Sequence, residues 1–203
     1  MAASKIKSCI TEINNWMASN RLKLNPSKTA VVWFASSQGL LKFENAPINI
    51  GQVMINSVMS GKSLEVILDD DLKLVKHVSN ICRTCFYQIR LQQHIRRYLN
   101  FKAASTLVSS LIINHIDYCN SLLAVTPVYQ TDQLQGVFNS AFCLLLRVPK
   151  FDRDLHTKVM DQLHWLRAPE RVSYKLCTLV YKVLHGMASN YFAELCVSVF
   201  TEE

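Results

Sequence analysis

Apolar residues recur at helical spacing from the start of the chain. Ile6, Ile10, Ile13 and Met17 share one face, with Trp16 beside it, and predict a helix over residues 4–19. Asn25-Pro26-Ser27 is turn chemistry and breaks the pattern. The β-branched and aromatic run at 31–35 then predicts a strand. Two more short strands are expected at 47–55 and 64–68, separated by Ser/Gly turns at 57–63. After Asp71 the period changes to 3.6 and stays there, predicting helices at 72–98, 100–115, 128–147 and 170–185, and a short one at 190–197. Pro127, Pro149 and Pro169 stand at the breaks, where a missing N–H does least harm. The expected fold is α+β and mainly helical: short antiparallel strands followed by a helical bundle, with a boundary between 1–70 and 71–203.

The predicted helix at 72–98 has an unusual polar face. From 72 to 116 there are seven Lys or Arg residues and no acid. Lys76, Arg83, Arg90 and Arg97 stand seven apart, and Lys73 leads the row. A seven-residue step returns to nearly the same helix face, drifting by roughly 20° per heptad. Asn80, Tyr87 and His94 fill that face, whereas Leu74, Val78, Ile81, Cys82, Cys85 and Ile89 fall opposite. An ordinary exposed helix mixes charges of both signs at i,i+4 spacing, and this one does not. A membrane-surface helix carries large aromatics on its apolar side, but here that side holds small Cys and Val. The row Lys73, Lys76, Arg83, Tyr87, Arg90, His94 and Arg97 is therefore the candidate nucleic-acid-binding site.

Composition sharpens this picture. The chain has 203 residues, half of them apolar and 18% charged, enough to bury a substantial core. Its net charge of +7 equals the contribution of the acid-free stretch alone, so the remainder is balanced. The seven cysteines are an odd number and lie mostly in apolar stretches, which fits reduced thiols. Lys5, Lys7 and Glu12 interrupt any secretory apolar region, and no apolar run approaches the ~18–20 residues of a membrane span. An intracellular protein, nuclear or cytoplasmic and not secreted, is expected, with no membrane partner.

Other constellations carry less. Asp69, Asp70 and Asp71 follow a predicted strand and could hold divalent ions, yet the nearby acids Glu12, Glu44 and Glu65 make a poor complement. Capping of the following helix, with compensation of its dipole, is the better reading. Cys82 and Cys85 have zinc-like spacing but sit on the apolar face with no second pair, so core packing is expected. The six histidines are scattered, and no glycine-rich phosphate loop is present.

Several stretches, in order, resemble one family. Trp16-Met17-Ala18-Ser19-Asn20-Arg21-Leu22-Lys23-Leu24-Asn25-Pro26-Ser27-Lys28-Thr29 is similar to the segment that follows the catalytic aspartate pair of LINE-type, non-LTR retrotransposon reverse transcriptases. Residues 64–72 with His77-Val78 resemble their next block. Ile116-Asp117-Tyr118-Cys119-Asn120-Ser121-Leu122-Leu123, Leu163-His164-Trp165-Leu166, Arg171, Tyr174-Lys175-Leu176, Tyr181-Lys182 and Leu184-His185-Gly186 resemble the helical region beyond it.

The resemblance implies an RNA-directed DNA polymerase of right-hand shape, of which 1–70 is the C-terminal part of the palm and 71–203 the thumb and its extension. It places the family's catalytic aspartates, which hold Mg²⁺, upstream of Met1. No catalytic residue and no metal ligand is therefore expected in this chain, which should not polymerise DNA by itself. Lys28 matches a lysine near the incoming nucleotide. Leu64-Glu65-Val66 matches the primer-grip block, where the family usually has Gly in place of Glu65, and Ala30, Gly136 and Cys143 also replace charged residues. Such losses fit a remnant. The implied partner is an RNA/DNA hybrid or another nucleic acid, gripped without regard to sequence. The alternatives are a helical protein-interaction module, self-associating or pairing with a missing palm, and a non-functional translated retrotransposon fossil.

Overall fold

The row Ile6, Ile10, Ile13 and Met17 does organise a helix, α1 (Ala2–Ser19), although Ile13 remains exposed. Arg21 ends it by taking a left-handed φ of 57°, which lets Leu22 N–H reach back to Met17 O at 2.8 Å. The computed structural model describes residues 2–35, 39, 48–50, 53–149, 165–194 and 196. The chain is mainly helical, with two two-stranded antiparallel sheets among the described residues, and divides into two units, Met1–His77 and Val78–Glu203.

In the first unit the strands depart from expectation. The run at 31–35 forms no ladder. Val31 makes an isolated parallel bridge to Ser57, and Ala35 N–H donates to Asp70 O at 3.3 Å. Within 47–55, expected as one strand, two strands pair antiparallel, β1 (Ile48–Ile50) with β2 (Val53–Ile55), Ile50 opposite Val53. Pro47, Gly51 and Gln52 lie outside the described residues. The expected Ser/Gly turn at 57–63 is in part a strand: β3 (Ser60–Ser63) pairs with β4 (Val66–Asp69), Ser63 opposite Val66. Gly61 suits that strand because a Cβ there would lie 2.9 Å from Val32 Cγ2.

A two-residue connection between β3 and β4 needs positive φ at both positions to match the twist of the strands. Leu64 and Glu65 supply it, with φ of 45° and 69°. Neither is glycine, so each carries left-handed strain of about 1–2 kcal/mol. Replacing Glu65 with Gly should raise stability by about 1 kcal/mol in urea unfolding. The salt bridge lost, Lys62 Nζ to Glu65 at 2.7 Å, is exposed and contributes little. A lower unfolding midpoint would contradict this account of the turn.

The second unit is helical. Helix α2 (Val75–Ile95) begins in the first unit, continues into this one and ends in a 3₁₀ turn, Arg96–Tyr98. Helix α3 (Phe101–Val108), capped by Asn100 Oδ1 on Ala103 N–H at 2.8 Å, runs through a π segment (Ser109–Ile113) into α4 (Asn114–Asp117). A 3₁₀ stretch (Asn120–Val125) leads to α5 (Val128–Leu146), followed by α6 (Ala168–Leu184) and α7 (Asn190–Ala193). Pro169 lies in the first turn of α6, and Arg167 N–H donates to Glu170 in a reciprocal cap. Val108, Ile112, Leu134, Val137, Phe138 and Leu145 are almost wholly buried and make the centre of the core. No helix among the described residues is long and apolar enough to cross a membrane.

Candidate nucleic-acid interface

Helix α2 owes its orientation to its apolar side. Val78, Ile81, Cys85 and Ile89 are buried and Cys82 is half-buried, so the opposite residues must face solvent. Cys85 Sγ approaches Ile112 O in the π segment at 4.0 Å. Burial raises the Cys82 thiol, and it raises that of Cys85 to about 12, with Cys82 adding to the effect. Both are packing residues, in keeping with their position on the apolar face. Unfolded Cys85 loses its proton near 9.0 and folded Cys85 near 12, so its stabilising effect is full below pH 9 and lost between 9 and 12. Alkylation at pH 8 should label the exposed Cys9 and Cys177 quickly and Cys85 only on unfolding. Mass spectrometry of tryptic peptides would show it, and prompt native labelling of Cys85 would count against the packing assigned here.

The exposed side carries Asn80, Arg83, Tyr87, Arg90 and His94, with Arg97 in the 3₁₀ turn beyond. At 1.5 Å per residue, Arg83 to Arg97 spans about 21 Å. Among the described residues no carboxylate pairs with Arg83, Arg90 or Arg97. The Arg97 guanidinium rests 4.7 Å from the centre of the Tyr98 ring. The two lysines at the head of the row behave differently and belong to the first unit. Lys73 precedes the helix and pairs with Asp71 at 2.7 Å, which holds the Asp71 carboxyl below its usual range. Lys76 Nζ donates to Ser60 Oγ at 3.0 Å. Of the five cations expected in the row, Arg83, Arg90 and Arg97 are exposed with no carboxylate partner among the described residues.

Sequence reasoning grouped the acid-free stretch as one charge feature, but Arg96 does not belong to the face. It is buried, and its guanidinium donates to Leu144 O, Leu145 O and Leu99 O at 3.0, 2.7 and 2.9 Å. Consecutive arginines at a helix end must point in different directions, and only the packing of α5 shows which turns inward. Three residues flanking the cations were also missed: Leu91, Ile95 and Tyr98 are all exposed. Their signal was present in the 3.6-residue period, as an apolar row beside the cationic one.

Asp69 is buried, and its Oδ2 accepts from Lys76 N–H at 3.4 Å near the start of α2. Asp71 accepts from Lys73 N–H at 3.1 Å. These acids turn to the helix and to Lys73, and the described residues contain no group of three His, Cys, Asp or Glu suited to a metal ion. Lys28 is exposed in a 3₁₀ turn, Pro26–Lys28, beside Asn25, whose Oδ1 accepts from Ser27 N–H and Oγ. Glu65 sits exposed at the hairpin tip with Leu64, and Val66 is buried. His77 is buried, with Nδ1 accepting from Ile67 N–H at 3.5 Å, whereas His156 and His164 lie outside the described residues.

Two stretches singled out by sequence meet in the second unit. Arg171 Nη1 donates to Asp117 Oδ2 at 2.6 Å across 54 positions, and the same guanidinium lies 5.1 Å from the Phe138 ring centre. Burial raises the Asp117 carboxyl, opposed by the nearby Arg171. With Asn120, Leu166, Tyr174 and Lys175 the pair lines a cleft of about 350 Å³. Arg171 is committed to tying α6 to the last residue of α4, so its charge in the cleft is already neutralised. No family model matches the chain, and neither a curated protein nor a solved structure is similar enough to count as a match.

Proposed function

We propose that this chain is a thumb-like remnant of a reverse transcriptase that holds nucleic acid by its phosphates, without reading sequence and without catalysing polymerisation by itself. The observation that carries the binding reading is the exposed row Arg83, Arg90 and Arg97, with no described carboxylate to neutralise it. The ancestry rests on the ordered sequence resemblance. Cations at seven-residue intervals along a rigid helix suit a polyanion of regular charge spacing, and phosphate contacts position such a partner whatever its sequence. Three contacts predict a log–log salt slope of about −2 to −3. Fluorescence anisotropy of the full chain with short labelled nucleic acids at graded salt tests this. No binding at low ionic strength, or binding insensitive to salt, would remove the reading.

A second reading, a helical interaction module that self-associates, is favoured by α6. Only Ala168 and Val172 are buried along it, whereas Leu176, Leu179, Val180 and Leu184 are exposed. Sedimentation velocity separates the two: a monomer that grows on adding nucleic acid supports the first reading, and a concentration-dependent dimer the second.

A further inference from the structure

Beside the arginines of α2 runs a second exposed row of different chemistry. At about 100° per residue, Tyr87, Leu91 and Ile95 rotate roughly 40°, 80° and 120° from the Arg83 direction. Tyr98 follows in the 3₁₀ turn. All four are exposed, at 56%, 46%, 45% and 74%. His94 stands between the two rows and is also exposed. The two rows adjoin at Tyr87 and diverge towards Ile95 over about four turns, or roughly 21 Å, until Tyr98 in the 3₁₀ turn brings an aromatic ring back beside Arg97.

From this juxtaposition, and resting on the nucleic-acid reading above, we propose that the face binds an unpaired strand in preference to a duplex. A duplex turns phosphates outward and keeps its base faces stacked inside, so it would engage the arginines and leave Tyr87, Leu91 and Tyr98 against water. A single strand offers both chemistries along one edge: phosphates for Arg83, Arg90 and Arg97, and unstacked bases for the neighbouring row. Tyr98 already carries the Arg97 guanidinium on its ring at 4.7 Å, so a cation and an aromatic surface are held together where a nucleotide would use both. Base–aromatic stacking tolerates any base, which keeps the grip independent of sequence. An anionic membrane surface fits less well. The broad apolar side of α2 is buried in the protein, leaving a narrow strip half made of tyrosine.

The test compares the full chain, by anisotropy at low ionic strength, on labelled oligothymidylate, a mixed-sequence single-stranded RNA, duplex DNA, an RNA/DNA hybrid and anionic phosphatidylserine vesicles. Single strands should bind roughly ten-fold more tightly than either duplex. Tyr87→Ala should lose roughly ten-fold on single strands and leave duplex binding unchanged, whereas Tyr87→Phe should keep wild-type affinity. Tyr87 is exposed, so circular dichroism should show all variants folded alike. Duplex binding as tight as single-strand binding, or an equal loss on both with Tyr87→Ala, overturns the preference and leaves the nucleic-acid reading standing. Tighter binding to vesicles than to any oligonucleotide, or no binding to nucleic acid at all, overturns both.

Discussion

Arg96→Met is expected to lower the unfolding free energy by about 4 kcal/mol. The last four carbonyls of a helix have no partner within it. In α5 two of these, Leu144 O and Leu145 O, belong to residues that are 7% and 1% exposed, so water does not replace a missing donor. The Arg96 guanidinium satisfies both and also reaches Leu99 O, while Arg147 Nη2 donates back to Arg96 O at 3.0 Å. Arg147 stands at the α5 C-terminus with φ of 56°, a left-handed end that normally favours glycine. Methionine would fill the space but leave two buried acceptors unsatisfied, at about 1–3 kcal/mol each, and remove a cation from the negative end of the helix dipole. Lysine should recover only part of the loss, because an ammonium on a flexible stem cannot span three carbonyls as the guanidinium does. Burial first, and Arg147 second, lower the Arg96 pKa, yet an arginine stays charged at neutral pH. Urea unfolding followed by far-ultraviolet circular dichroism measures the change. A midpoint unmoved by Arg96→Met would mean that α5 does not depend on this residue.

The second large effect concerns binding. Arg83→Gln, Arg90→Gln and Arg97→Gln together should weaken nucleic-acid affinity by about a hundredfold or more at low salt and flatten the salt slope towards zero. Glutamine keeps the length, the polarity and most of the helix propensity of arginine, so the variant removes charge with little else. All three side chains are exposed and have no described acid partner, so thermal stability should hold. A control variant, Lys73→Gln, should cost far less, because Lys73 is already paired with Asp71. If the triple variant binds as the parent does, the charge row has no part in holding the strand. If the Lys73 variant loses as much as the triple one, the grip lies elsewhere.

The helices were legible because their signals are local. Their apolar periods, the prolines at 127, 149 and 169, and the polar caps act over a few residues, and α2, α3, α5 and α6 appear close to their expected places. The strands were less so, because a strand is completed by a partner outside its own segment. Residues 31–35 have suitable composition but gain only a bridge at Val31 and a bond at Ala35, whereas Ser60–Ser63 looks like a turn and becomes a strand by pairing with Val66–Asp69. The candidate site divides in the same way. Periodicity placed Arg83, Tyr87, Arg90, His94 and Arg97 on the side opposite Val78, Ile81, Cys85 and Ile89, and the burial of those four leaves the cations in solvent. It could not show that Lys73 and Lys76 are occupied by Asp71 and Ser60, because those bonds depend on the turn before α2 and on β3.

By itself, then, the sequence determined a mainly helical chain whose positive charge gathers on one face of one helix. A 3.6-residue period and an absence of acids over 45 positions require nothing beyond the chain's own order. Tertiary structure alone decided which cations stay available. Arg96 and Arg97 are neighbours of the same chemistry, and one closes the end of α5 while the other lies over Tyr98 in solvent. The physical reason is desolvation: a buried guanidinium is tolerated only where several carbonyls meet it, and long-range packing brings those carbonyls there.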